Sequence, residues 1–223
     1  YGTEVVSDHA IALALACLRR INEIDADMRA GIWDFHRRRP LGQVHGRTFG
    51  VVGYGNIGRA VARKARGLGF NVVVWDHKGV PGRFTPEDFP YATLEELLKT
   101  ADVVSFHTAL VPATHHLLNA DNIKLMKDDA IVVNTSRGAV MEGKGLLFKI
   151  YAGIDVFEHE PVSPDAPIMH APHTVLTSHA AYWSEESAVE LRRRCTQNAI
   201  DVVRGRTPEA CVNPEALPRA LAK

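Results

Sequence analysis

Cysteine is scarce: Cys17, Cys195 and Cys211 are the three in the chain, and no two stand at Cys-x-x-Cys spacing. That scatter excludes a disulfide framework and a cysteine zinc site, and it points to a reducing cytoplasm. Excess charge is also missing. The 26 Lys and Arg balance 26 Asp and Glu, so no net field draws the chain to nucleic acid or an anionic membrane surface. There is no long apolar run either: the longest, Ala10 to Leu18, is too short to span a bilayer, and no basic segment with a hydrophobic stretch resembles a signal peptide. The chain opens on Tyr1 rather than Met, as a fragment or processed chain does, so a missing targeting signal carries little weight.

What is present suffices for a substantial core. With 223 residues and 46% hydrophobic content, the chain reads as one large domain, or one domain plus a fragment. Apolar residues Ile11, Leu15, Leu18, Ile21 and Ile24 recur at helical spacing, predicting one helix over Thr3 to Ala30 that Gly31 ends. A charged loop, Trp33 to Arg47, follows, and its Arg37-Arg38-Arg39-Pro40 cluster reads as a solvated loop.

From there strand and helix patterns alternate. Strands are predicted at Thr48 to Gly53, Asn71 to Trp75, Asp102 to Phe106, Ala130 to Asn134, near Tyr151 to Val156, and at Thr174 to Thr177. Helices are predicted at Ile57 to Leu68, Thr93 to Thr100 and Asn119 to Met126, the second opened by a Thr93/Glu96 capping box. The alternation predicts an α/β fold, a doubly wound parallel sheet. A last helix, Ser184 to Arg204, carries Ala188, Leu191, Cys195 and Ala199 on one face.

Gly53-Tyr-Gly55-Asn-Ile-Gly58 stands where the first predicted strand turns into a helix. A pyrophosphate needs backbone amides and a helix N-terminus close to its oxygens, and Cβ atoms at that turn would block the approach. The next strand ends in Asp76, 18 residues beyond Gly58, near the spacing of the acid that holds adenosine ribose hydroxyls. A carboxylate there repels a 2′-phosphate, so NAD is favoured over NADP, although His77 and Lys78 soften that discrimination. Taken alone, the turn leaves SAM-binding folds and flavin enzymes as competitors.

Three further polar groups follow predicted strands: Asn134-Thr-Ser-Arg137-Gly, Asp155-Val-Phe-Glu-His-Glu160-Pro and Thr177-Ser-His179-Ala-Ala. Parallel sheets assemble their sites at such strand ends. With these motifs in order, the chain resembles, from Tyr1 to about Asn213, the D-isomer-specific 2-hydroxyacid dehydrogenases. That family includes phosphoglycerate dehydrogenase, glyoxylate/hydropyruvate reductase, formate dehydrogenase and the C-terminal binding protein corepressors.

The resemblance implies an oxidoreductase that moves a hydride between a nicotinamide and a small 2-oxo or 2-hydroxy acid. It implies Arg137 as substrate anchor, Glu160 as the acidic partner and His179 as the acid/base. A guanidinium can bind an adjacent carboxylate and carbonyl through several donors. An imidazolium can supply the proton that the reduced oxygen needs, and a carboxylate on its far nitrogen favours that charged form. The resemblance further implies a cofactor groove of Gly53, Tyr54, Gly55, Asn56, Ile57, Gly58, Asp76, Thr108, Ala109, Leu110, Thr114, Thr135, Ser136, Arg137, His179 and Ala181. Within it, Asp155 would bind the nicotinamide carboxamide. Tyr182 joins Arg137 and His179 at the substrate, and Trp183 beside it is either a further aromatic there or core packing.

By the same resemblance, residues 1–182 form the NAD domain and 183–223 a remnant of a split substrate-binding domain whose first segment is absent, and the active form is a homodimer. A metal is not expected: adjacent His115 and His116 would not face one way on a helix, and no acid or cysteine partner has ligand spacing. His9 and His173 read as surface or satisfied groups.

Two departures stand out. Ser178 precedes His179 where relatives commonly carry proline, a change that leaves the chemistry intact. Only 18 steps separate Arg137 from Asp155, several fewer than the family interval, and Met141-Glu-Gly-Lys-Gly145 replaces a helix start. A crossover cut that short is hard to reconcile with a closed sheet, and a true deletion would compromise catalysis. Two other roles stay open: an NADH-sensing corepressor-like scaffold, which Ser178 to Ser187 resembles, and a silent nucleotide-binding fragment.

Overall fold

A computed structural model describes residues 1–143, 151–209 and 211. The chain divides into two compact units, Thr3–Ala181 and Tyr182–Lys223 with Tyr1–Gly2.

In the larger unit β1 (Thr48–Val52), β2 (Asn71–Trp75), β3 (Val103–Phe106), β4 (Ile131–Asn134), β5 (Tyr151–Ile154) and β6 (Thr174–Leu176) form one sheet of order β2-β1-β3-β4-β5-β6. Every pairing is parallel. Because successive strand residues face opposite sides, the apolar runs feed two cores at once. Phe49, Val51, Val74 and Val133 pack under α1 (Thr3–Leu18) and α3 (Asn56–Gly67). Val52, Val104, Phe106 and Val132 pack with Leu97 and Leu98 of α4 (Leu94–Thr100) on the other face. Each such buried side chain contributes roughly 1.5–3 kcal/mol of transfer free energy. Helices on both faces make this the doubly wound α/β fold that the alternation predicts. Close approach matters at one strand: a Cβ on Gly153 would meet Leu13 Cβ at 2.7 Å, so glycine there lets α1 lie directly on β5.

The long first helix is two helices. It breaks at Arg20, which takes a left-handed backbone (φ 50) between α1 and α2 (Ile21–Arg29). Arg20 is buried; its guanidinium lies 4.3 Å from the Tyr151 ring centroid and bonds the Tyr151 hydroxyl. Tertiary contact overrides helical periodicity here. The basic cluster is not simply solvated either: Arg38 forks onto Asp27 at 2.6 and 2.7 Å and reaches Glu23 at 2.9 Å. That bidentate bond holds the Asp27 carboxyl below its ordinary value.

The helix expected over Asn119 to Met126 shrinks to a 3-10 turn, Ile123–Leu125. Asn119 and Asn122 side chains take the local backbone groups instead: Asn119 Oδ1 accepts from the Asp121 amide and Asn122 Nδ2 donates to the Leu117 carbonyl. The Thr93/Glu96 capping box forms as expected. The short crossover after β4 does not open the sheet: β4 and β5 pair in register through residues Asn134 and Ile154. The sequence departure at Lys144 and Gly145 lies outside the described residues.

The smaller unit holds α5 (Glu185–Val203), capped by Ser184 through the Ser187 amide. Of its predicted apolar face only Ala188 is buried; Leu191 is half-buried, and Cys195 and Ala199 are exposed. Among the described residues no helix is long and apolar enough to cross a membrane.

Burial pushes the His107 imidazole, just after β3, down from 6.5 to about 3. It shares a 2.8 Å hydrogen bond with the Ser105 hydroxyl. Between those values the unfolded chain binds a proton that the folded chain refuses, so stability present above pH 6.5 is lost as pH falls towards 3. Thermal unfolding followed from pH 7 downward is expected to show a falling midpoint, and His107→Gln is expected to flatten that slope.

Candidate active site

Strand register sets the site. The last residues of all six strands are aligned: Val52 with Trp75 and Phe106, Phe106 with Asn134, Asn134 with Ile154, and Ile154 with Leu176. The residues that follow therefore emerge along one edge, with Gly53, Asp76, His107, Thr135, Asp155 and Thr177 in a row. The strand order reverses direction at β1 and β3, where parallel sheets open a crevice.

On the β1 side, Gly53 turns with φ 97, and a Cβ there would meet the His107 carbonyl at 2.9 Å. Gly58 lets α3 seat on the turn: a Cβ there would sit 1.9 Å from the Gly53 oxygen. Gly55 caps α3, and a Cβ on it would meet nothing within 4 Å. It keeps the approach to the first amides of the helix clear rather than serving packing. Asp76 closes the turn, accepting from the Tyr54 amide at 2.8 Å and the Lys78 amide at 3.0 Å, with His77 Nδ1 3.4 Å away.

Asn56 is exposed and Ile57 half-buried against the core. The Tyr54 side chain turns into the protein instead of the groove. Its hydroxyl donates to Glu87 at 2.6 Å, and burial with that carboxylate pushes it up to about 12.

After β3 and β4, the Thr108 and Thr135 hydroxyls are buried without a hydrogen-bond partner. Buried polar atoms are rarely left so, and two of them at adjacent strand ends, beside an open glycine turn, fit a dinucleotide laid across the sheet edge. Ala109 and Leu110 are exposed beside them. Thr114 differs: its hydroxyl donates to the Ala109 carbonyl at 2.6 Å and accepts from the Val111 amide, so it shapes the loop. Asn134 performs the same task after β4, accepting from Ser136 Oγ at 2.8 Å and donating to the Arg137 carbonyl at 2.9 Å.

Arg137 is exposed, its guanidinium donating to the Ser136 carbonyl at 2.6 Å. Gly138 beside it lies so near the next loop that a Cβ would stand 1.9 Å from the Phe157 carbonyl carbon. This contact seats the Arg137 loop against the loop that carries Glu160. Glu160 Oε2 is 2.6 Å from His179 Nδ1, and Oε1 accepts from the Phe157 amide at 2.8 Å. Burial raises the Glu160 carboxyl, but the bonds from His179 and Phe157 outweigh it and leave it below its ordinary value.

His179 has a left-handed backbone (φ 56), a conformation that costs on the order of 1 kcal/mol for a non-glycine residue. Asp155, fully buried, holds the strand-end loop there. Its Oδ1 accepts from Thr177 Oγ1 at 2.6 Å and the Ala180 amide at 2.8 Å, and its Oδ2 accepts from the Ala181 amide at 3.0 Å.

Residues 11–181 match the family model described as the D-isomer specific 2-hydroxyacid dehydrogenase, NAD binding domain. The chain belongs to the D-isomer-specific 2-hydroxyacid dehydrogenase family. This dehydrogenase chain is 39% identical over 230 residues to a glyoxylate reductase of Korarchaeum cryptofilum, covering 96% of the chain and 68% of the relative. The TT0316 protein of Thermus thermophilus superposes with a TM-score of 0.84 at 37% identity, over 93% of this chain and 68% of that one. A D-lactate dehydrogenase with NAD+ from Lactobacillus jensenii superposes with a TM-score of 0.82 at 25% identity, over 94% and 68%. The dehydrogenase is thus an NAD-binding oxidoreductase acting on a CH–OH group.

Its structure pairs Glu160 with His179 and carries Arg137 on the strand-end loop that packs against the Glu160 loop through Gly138 and Phe157. Tyr182 and Trp183 lie in the other unit, 39% and 51% exposed. The His115 and His116 rings follow a 3-10 turn and lie 3.9 Å apart, with His116 bonded to Glu158 at 2.8 Å. Sequence reasoning passed over His9 and Thr177, which meet the Asp155 carboxylate; the Thr-x-His spacing marked the second, and nothing local marked the first.

The glycines are separable by experiment. Gly55→Ala is expected to leave the unfolding midpoint unchanged and to weaken NADH binding by about tenfold or more, read by nucleotide fluorescence. Gly58→Ala is expected to lower the midpoint as well, because its Cβ has backbone in its way.

Proposed function

We propose that this chain is the NAD-binding, catalytic part of a reductase of small 2-oxo acids of the glyoxylate type, working with NADH in preference to NADPH. The carrying observation is the 2.6 Å pair of His179 Nδ1 and Glu160 Oε2, on the same sheet edge as the glycine turn. The Korarchaeum relative, a glyoxylate reductase, supports the substrate class. Asp76 beside the turn supports NADH, since a 2′-phosphate would face its carboxylate.

NADH, when bound, would supply the hydride equivalent that reduction of the carbonyl requires. Arg137 binds the substrate carboxylate and polarises the carbonyl through its planar donor set. As the carbonyl π pair moves onto oxygen, His179 hands over its Nε2 proton, giving the 2-hydroxy acid and a neutral ring that water reprotonates. Glu160 accepts the Nδ1 hydrogen bond, fixing the ring's orientation. Thr108, Thr135 and the α3 amides would hold the dinucleotide, with Ser136, Ala109 and Leu110 beside it. We assign residues 1–182 to the NAD domain and 183–223 to the substrate-binding domain, with a homodimeric cytoplasmic enzyme as the working form.

NADH oxidation against glyoxylate, hydroxypyruvate and pyruvate tests this reading. His179→Ala is expected to lose at least about two orders of magnitude in turnover, the usual size of general acid catalysis. Unchanged rates in that variant would remove His179 from the mechanism. Glu160→Gln is expected to lower turnover by about tenfold or more, since the ring then lacks the carboxylate that holds its orientation. Unchanged turnover would leave Glu160 a purely structural neighbour.

A further inference from the structure

We propose that His9, on α1, is a positioning residue for the His179 loop, acting through Thr177 and the buried Asp155 carboxylate. This rests on His179 being the acid of the reaction. His9 Nε2 is 2.9 Å from Thr177 Oγ1 and 3.6 Å from Asp155 Oδ1, although His9 and Thr177 are 168 residues apart.

With the Asp155 carboxylate as the acceptor of the cluster, the hydrogens are assigned in one direction. An ionised carboxylate accepts and never donates, so the Thr177 hydroxyl at 2.6 Å gives its proton to Asp155 Oδ1. That leaves the Thr177 oxygen as an acceptor towards His9, and His9 must carry its hydrogen on Nε2. The run is therefore His9 N–H to Thr177 O–H to Asp155, whose two oxygens also receive the Ala180 and Ala181 amides. The Asp155 carbonyl receives the His179 amide at 2.8 Å.

Four donors thus converge on one buried residue, and three of them belong to the stretch 179–181 that bears the left-handed His179. A left-handed histidine persists only where its surroundings over-determine it. Ala180 and Ala181 bond the carboxylate in the orientation that Thr177 gives it, and Thr177 is oriented in turn by His9. Since α1 is packed on β5 through Gly153, the anchor is part of the rigid core and not of the loop it holds.

Three variants test the assignment: His9→Ala, Thr177→Val, and His9→Gln, whose Nε2 restores a donor near the same place. Amide hydrogen exchange at Ala180 and Ala181 is expected to speed up by about tenfold or more in the first two and to stay near wild type in His9→Gln. In the full-length enzyme, kcat with glyoxylate is expected to fall roughly ten- to a hundredfold in the first two, with the NADH dissociation constant nearly unchanged and His9→Gln recovering most of the loss. Unaltered exchange overturns the proposal, as does faster exchange with wild-type kcat. NADH binding that weakens in step with kcat overturns it too, because that reports a general loosening of the groove. Should His179→Ala turn over like wild type, the reading of the acid fails instead, and exchange at Ala180 and Ala181 still decides whether His9 holds the loop.

Discussion

The site depends on a single geometric constraint: six parallel strands that stop at the same level. Once Val52, Trp75, Phe106, Asn134, Ile154 and Leu176 are in register, every departing loop starts from one edge, and groups far apart in the chain become neighbours. Hydrogen-bonding in the ladder fixes that level, and the two apolar cores fix the ladder. A one-residue slip in any strand would reverse which core each side chain enters. The chemistry at the edge thus inherits its precision from valines and phenylalanines that never meet a ligand.

Above that edge, polar groups divide into two kinds. Asp155, Asn134 and Thr114 are consumed by backbone amides, carbonyls and hydroxyls of their own loops, which gives those loops one shape. Thr108 and Thr135 remain unsatisfied, and Gly55 faces open space. A saturated set builds the walls, and an unsaturated set is left for a guest. His179 and Glu160 stand between these classes, bonded to each other yet partly exposed.

Much of this was legible from residues alone. The sheet's alternation, the glycine turn, Asp76 and the three polar strand-end groups all rest on local pattern: period, turn chemistry and spacing. What escaped the reading was set by contacts between distant segments. Arg20 breaks a helix that its apolar period would continue, because Tyr151 draws its guanidinium inward. The Asn119 to Met126 pattern looks helical until the two asparagine side chains compete for the backbone. His9 is invisible as a functional candidate, since its partner Thr177 lies 168 residues away in the chain. Tyr54 sits inside the glycine motif yet belongs to the core, as periodicity could not reveal within so short a turn.

Gly138 packs its backbone onto that of Phe157 with no allowance for even a methyl group. The guanidinium-bearing segment and the carboxylate-bearing segment are consequently a single mechanical part made from two pieces of chain. Chimeras that exchange one of these loops between family members would carry a mismatched half, whereas swapping both together preserves the joint. Divergence in substrate choice along this edge is therefore expected to proceed by paired changes.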